Sequence, residues 1–360
     1  AKLYLVFCKA LNTDYQAGGS LVVAMHEDEL SSLNELYDRA IRRNVQVERL
    51  HREEVIRREP NINPKVIEAL FFPTTAIITP WQMGYALMNH AVLNGVELRR
   101  NEAFVSVAKE HDHYRVSTSK GTIQARHVIN AAGLQAHTIA RKQNPLNDYP
   151  VQFRKGEYQV SDIEDETYLN HVIYPCPSIK GKGVLALKTV EGNLMFGPTS
   201  TLIEDPYDHG TTKAGLDEID VKIAQLIKPL PKSHLIRQFA GVRPSPVSKD
   251  FILKEDKGWF DCVGIDSPGL ASAPGISEYV IENFVQKYFA LDNKVMVPFK
   301  WPHRIHPQDE TQRAAMIQTK PRMGKIICVC ETVSEQEIID AIHLPVGARS
   351  VKGVKRLTRP

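Results

Sequence analysis

The sequence predicts a mixed fold of the α/β (α+β) class built in several parts, and three observations predict it. Residues 127–142 and 259–284 each read as a strand, a turn of small residues and a helix. Between them, residues 150–246 carry irregular β-prone runs broken by turns, the texture of a mainly antiparallel sheet. A polar, proline-bearing connection through Trp301-Pro302-His303 then leads to a short strand and helix near the C-terminus.

The composition is that of an ordinary globular protein, 42% hydrophobic and 24% charged, and 360 residues suffice for two or three domains with a sizeable core. A net charge of +3 over this length makes no case for nucleic acid. No apolar run approaches the ~18 residues of a membrane span, and no signal-peptide pattern opens the chain. The five cysteines, Cys8, Cys176, Cys262, Cys328 and Cys330, are odd in number and mostly far apart, which suggests reduced thiols in a cytoplasm. Ala1 lies inside an apolar segment and Pro360 in a basic run, as they would in an internal piece of a longer chain.

Each element has a local warrant. Residues 3–11 read as the tail of a helix, and 20–25 as a strand after the Gly18-Gly19 turn. Leu30, Leu33, Leu36, Ala40 and Ile41 share one face of a helix over 28–43, with Asn44 at its end. A strand at 45–50, a charged helix at 52–58 stopped by Pro60 and an apolar run at 65–72 follow. Thr79 as N-cap, Pro80 at the first helical position and Gly95 after the last turn punctuate a helix over 81–94. Short strands at 96–99, 103–109, 114–118 and 122–125 make a meander. His111 and His113 flank Asp112 in one hairpin, and without a third ligand they read as an exposed loop.

Ala131, Ala132 and Gly133 let a backbone or ligand come close where a strand passes to a helix. In the central region, 152–160, 171–174, 183–189 and 193–197 read as strands and 211–228 as a helix. Tyr158, His171, Tyr174, Cys176 and Lys188 are the side chains of that sheet with the chemistry to line a pocket. Residues 181–186 match the glycine-rich dinucleotide pattern formally but lead into a strand instead of opening a helix, so they do not qualify. After the strand at 259–265, a turn over 267–275 precedes Ile276, Val280 and Phe284 at helical spacing. A helix N-terminus there exposes N–H groups and a partial positive charge, suited to a phosphate or the electron-rich edge of a reduced ring. Arg243, between Val242 and Pro244, can aim one guanidinium into a cleft. Cys328 and Cys330 end a strand, and Ser334 with Glu337 has capping-box spacing.

The succession KGEYQV, HVIYPCPSIKGKGVLALKTVEGNLMFGPTS, FAGVRPSPVSKDFIL and GIDSPGLASAPGISEYV resembles FAD-dependent glycerol-3-phosphate dehydrogenases of the D-amino-acid oxidase/glycine oxidase superfamily. The end, ICVCETVSEQEIIDAI followed by GVKRLTRP, is similar to the front of a bacterioferritin-associated-ferredoxin type [2Fe-2S] domain. The resemblance implies a Rossmann-like FAD-binding domain over 76–149 and 247–291 that lacks its first βαβ unit, and a substrate domain over 150–246. It assigns 1–75 to substrate-domain and connecting elements, 292–322 to a linker and 323–360 to a partial [2Fe-2S]-type domain. It places Ala131, Ala132 and Gly133 beside FAD, and Ser267, Pro268, Gly269, Leu270 and Ala271 at the flavin ring. It makes Arg243 the anchor of the substrate's phosphate or carboxylate, with His171 and Tyr174 as candidates for the base. Cys328 and Cys330 would supply part of a [2Fe-2S] ligand set, with the cluster itself expected only in a longer protein.

The implied activity is oxidation of a small anionic 2-hydroxy substrate, sn-glycerol 3-phosphate to dihydroxyacetone phosphate, by hydride transfer to flavin. An oxidase of 2-hydroxyglutarate or of an amino acid shares much of the pattern. A non-catalytic binding or assembly module is the alternative from another class. The electron acceptor, the oligomeric state and a peripheral membrane or partner-subunit association stay open at this level.

Overall fold

A computed structural model describes residues 2–162, 167–177, 183–230 and 234–358. In chain order the first elements are α1 (Lys2–Leu11), β1 (Tyr15–Ala17), β2 (Ser20–Ala24), α2 (Leu30–Arg42), β3 (Glu48–His51), α3 (Arg52–Arg58), β4 (Glu68–Phe72), β5 (Ala76–Ile78) and α4 (Pro80–Leu93). The meander β6 (Phe104–Glu110), β7 (His113–Thr118) and β8 (Gly121–Ala125) leads to β9 (Val128–Asn130) and α5 (Ala136–Gln143). Next come β10 (Val151–Ser161), β11 (Val172–Pro175), β12 (Leu185–Lys188), β13 (Leu194–Gly197), β14 (Thr201–Ile203), α6 (Lys213–Leu226) and β15 (Leu235–Pro246). The chain continues with β16 (Ile252–Asp256), β17 (Trp259–Val263), α7 (Gly269–Val280) and α8 (Gln286–Tyr288). Last are α9 (Glu310–Thr319), β18 (Ile326–Cys328), β19 (Val333–Ser334), α10 (Glu335–His343) and α11 (Val351–Thr358). No helix among the described residues is long and apolar enough to cross a membrane.

The chain divides into two compact units: Ala1–Tyr15 with Ile78–Arg100 and Leu291–Pro360, and Gln16–Ile77 with Asn101–Ala290. In the first unit, Tyr4 and Cys8 of α1, Met83 of α4, Trp301, Ala341 of α10 and Leu357 of α11 share one core. The capping box forms there: the Ser334 amide donates to Glu337 Oε2 at 2.8 Å, and Ser334 Oγ accepts from the Glu337 amide at 3.3 Å. The strand expected at 96–99 does not form; Asn94 instead caps the turn and accepts from the Val297 amide at 2.8 Å. Thr79 holds the N-cap position of α4, but its hydroxyl donates to Asp14 Oδ2 instead of accepting from the helix.

The second unit is built on a nine-stranded sheet ordered β14-β10-β13-β12-β11-β2-β4-β3, with β15 on the free side of β10. Leu21, Ile173, Ala186 and Phe196 project from one face to meet Ile219 and Leu226 of α6. On the other face, Val22 and Leu70 pack with Leu33 of α2, and Cys176 joins that cluster. A separate sheet, β16-β17-β9, carries α5 and α7 against it through Ala136, Val263, Phe260 and Val280.

Two elements depart from the sequence expectation. β15 runs straight through Pro244 and Pro246, which a central strand would not tolerate but which an edge strand paired on one side can hold. α7 begins at Gly269 and keeps Pro274 inside it, so the proline-rich turn is shorter than residues 267–275 suggested. Of the formal glycine-rich match, residues 181 and 182 lie outside the described residues, and the chain after Gly183 does enter a strand.

Candidate active site

The long antiparallel pair β10–β15 sets the side-chain pattern of the site. Its register opposes Arg154 to Arg243, Gly156 to Gly241 and Tyr158 to Phe239. Lys155, Glu157 and Gln159 alternate to the other face, where they are buried under the α6 side. There Lys155 Nζ donates to Asp208 Oδ2 at 2.7 Å, and Glu157 accepts from the Thr212 amide and hydroxyl at 2.7 and 2.9 Å. Arg154, Gly156 and Tyr158 therefore share the opposite face with Arg243, Gly241 and Phe239. The rings of Tyr158 and Phe239 stack at 4.9 Å and 8°.

Arg243 is 29% exposed and lies 3.8 Å from Asp266 Oδ1 through its Nε. That Nε is buried and makes no hydrogen bond, while Nη2 makes only long contacts of 3.5 Å to Thr199 O and Ser200 Oγ. Its donors are thus largely unspent. Burial pushes the Tyr158 phenol up against the opposing pull of Arg243, so it stays a proton donor at neutral pH.

Asp266 joins this face to the turn before α7. Its carboxylate accepts from Ser245 Oγ and from the Ser267 amide, and its carbonyl accepts from the Gly269 amide. Ser267-Pro268 is a cis bond, and Leu270 and Ala271 are exposed at the start of α7.

β17 and β9 run parallel, pairing Phe260 with Ile129 and Asp261 with Asn130, and at their carboxyl ends the chain turns into α7 and α5. Ligands of parallel α/β sheets lie outside such ends. Asn130 is buried and donates to Ala136 O at 2.8 Å and to Asp261 Oδ1 at 2.7 Å, bracing the crossover from beneath. Ala131, Ala132 and Gly133 are exposed above it; Gly133 has φ +57°, and a Cβ built there would meet nothing within 4 Å. The exposed small residues at 131–133 leave room for a flat cofactor at this place.

The remaining candidates fall elsewhere. His171 Nδ1 lies 3.0 Å from Oε2 of the fully buried Glu59, with its ring edge-on to Phe71. Tyr174 packs in the α2 cluster with Cys176. β11 stands four strand spacings from β15, or ~19 Å, so the sheet does not bring His171 or Tyr174 to Arg243. Lys188 pairs with Leu194, whose side chain is in the α6-facing core. A cavity of ≈ 310 Å³ lined by Arg126, His127, Ile129, Phe284, Val285 and Phe289 opens at the amino end of β9, away from Ala131. Cys328 is half-buried, Cys330 is exposed, and no group of three metal-ligating side chains occurs among the described residues. A [2Fe-2S] cluster needs four ligands, so the two thiols supply at most half of a site.

Sequence reasoning missed Arg154, Asn130 and Asp266. Asn130 ends the strand before the small-residue turn and Asp266 directly precedes Ser267, which were signals enough; Arg154 gave none apart from its pairing.

A parallel α/β unit with open turns, joined to an antiparallel sheet bearing an unspent arginine, is the architecture of a cofactor-dependent enzyme. The description "FAD dependent oxidoreductase" matches residues 1–283, and the chain belongs to that family. A BFD-like [2Fe-2S] binding domain matches residues 326–360. A glycerol 3-phosphate dehydrogenase of Caloramator mitchellensis is 37% identical over 98% of this chain and 74% of its own. An L-2-hydroxyglutarate dehydrogenase of Salmonella houtenae is 25% identical over 70% of this chain and 60% of its own. Among solved structures, dithionite-reduced L-alpha-glycerophosphate oxidase from Mycoplasma pneumoniae with FAD bound superposes with a TM-score of 0.78 and 26% identity, covering 84% of this chain and 82% of its own.

Proposed function

We propose that this chain oxidises sn-glycerol 3-phosphate to dihydroxyacetone phosphate, with Arg243 gripping the phosphate. The observation that carries the reading is the half-buried Arg243, its Nε without a hydrogen-bond partner, beside the turn that opens α7. FAD, when bound, supplies the two-electron acceptor for the carbinol hydrogen. Ala131, Ala132 and Gly133 would hold it on one side and residues 267–271 on the other. Arg243 orients the substrate through paired charge-assisted hydrogen bonds, and Asp266 keeps the guanidinium in register with the α7 turn. Tyr158 and Phe239 wall the same face. His171 and Tyr174 have no part in this grip because their strand lies ~19 Å from β15.

In the FAD-loaded enzyme, Arg243→Ala should lower kcat/KM for glycerol 3-phosphate roughly ten- to hundredfold, the worth of a lost charged hydrogen bond. Arg243→Lys should recover only part of the loss, because an ammonium cannot form the fork. Flavin content should stay near normal. Wild-type kcat/KM in Arg243→Ala, or simple loss of FAD, would remove Arg243 from the substrate. A panel with L-2-hydroxyglutarate separates the second reading: faster turnover of that dicarboxylate would replace glycerol 3-phosphate as the substrate.

A further inference from the structure

We propose that Arg154 is a second anion-binding residue, and that Arg154 and Arg243 together select a phosphate monoester over a carboxylate. The inference rests on the reading that Arg243 faces the substrate. The two arginines are direct cross-strand partners on one face of β10–β15. Like charges so placed repel and destabilise a sheet. A second anion-facing guanidinium explains why the pair is there.

Arg154 has no counter-charge among the described residues, and Arg243 has only Asp266, 3.8 Å from its Nε. Arg154 is half-buried and makes no ion pair or side-chain hydrogen bond among the described residues. Its other cross-strand neighbour is Leu202 of β14. Its chain neighbour Lys155 points to the opposite face and is paired there with Asp208. Among the described residues Asp266 is the one carboxylate paired with either arginine; it lies 3.8 Å from Arg243 Nε and is itself held by Ser245 and the Ser267 amide, so both outer forks stay open.

The surface next to them is open on the β15 side, whereas a Cβ built on Gly156 of β10 would come within 2.8 Å of Pro198. Gly156 and Gly241 are the adjacent pair, between the arginines and the stacked Tyr158–Phe239 rings. A Cβ built on Gly241 would meet nothing within 4 Å. With two residues of strand between rows, ~6.6 Å separates Gly241 from its like-facing neighbours on β15, room for a short carbon chain lying along that strand. The selectivity follows from donor counting. One fork saturates the two oxygens of a carboxylate, whereas a phosphate monoester presents three terminal oxygens and takes a fork from each side.

The test uses FAD-loaded enzyme, with inorganic phosphate and acetate as competing anions against glycerol 3-phosphate. Arg154→Gln should raise the inhibition constant for phosphate roughly tenfold or more and leave that for acetate nearly unchanged. Its thermal midpoint without ligand should equal or exceed wild type, since a like-charge pair has gone; a purely structural arginine would lower it. Arg154→Lys, which keeps the charge and length, should be intermediate for phosphate and covers the case in which the glutamine variant does not fold. Unchanged phosphate inhibition in either variant overturns the proposal, as does equal weakening of both anions. If Arg243→Ala alone weakens phosphate, only Arg154 is misassigned; if neither does, the assignment of this face to substrate fails.

Discussion

Asn130 Nδ2 donates to Asp261 Oδ1 at 2.7 Å, tying the parallel strands β9 and β17 together at the end where the chain turns into α5 and α7. Asp261 is 1% exposed; burial pushes its carboxyl up, and bonds from Trp259 Nε1 and Asn130 only partly counter this. Asn130→Ala leaves a buried carboxylate one donor short. It should cost ~1–3 kcal/mol, seen as a lower urea midpoint at unchanged slope, and weaken FAD retention. An unchanged midpoint would show that the tie contributes nothing.

Asp266 serves β15 and the α7 turn at once, so its loss should be felt in both places. Asp266→Ala frees Arg243 from its counter-charge and the Ser267 amide from its acceptor. The expected outcome is a raised KM for glycerol 3-phosphate together with a lower thermal midpoint, with Asp266→Asn between the two in stability. A variant with wild-type values on both counts contradicts the linking role.

Glu255 gives the fold an acid limit. Burial alone would raise its carboxyl, but bonds from Lys287, Tyr288 and the Gly258 amide hold it at about 2. The folded value thus lies below the ~4.3 of a free glutamate, so the stabilisation is complete above that pH and fades as pH falls toward 2. Urea midpoints of wild type and Glu255→Gln should differ at pH 7 and converge between those limits. Curves separated by a constant amount down to pH 2 would rule the linkage out.

Thiol chemistry should divide the cysteines by burial. Cys330 is exposed, whereas burial pushes the Cys176 and Cys262 thiols up to about 11. At pH 8 iodoacetamide should alkylate Cys330 first and reach Cys176 and Cys262 only on unfolding. Anaerobic reconstitution should give less than one [2Fe-2S] cluster per chain, because two thiols are present where four ligands are needed. Early labelling of Cys262, or two irons and two sulfides per chain, would refute these expectations.

Sequence alone determined what depends on neighbours in the chain. The helix start at Thr79-Pro80, the Ser334–Glu337 box and the small-residue turn at 131–133 are legible because capping and turn geometry act over three or four residues. The motif order likewise carried the family and the flavin. Tertiary structure alone decided what depends on register. Arg154 meets Arg243 only because β10 and β15 pair in one alignment, and a slip of one residue would turn Arg154 to the α6 side. β15 itself was hidden by prolines that an edge strand accepts, since the cost of a missing N–H appears only when a second neighbour needs it. Asn130 and Asp261 became a buried pair, and His171 was set on a distant strand, through sheet order, which long-range packing fixes and no local pattern encodes.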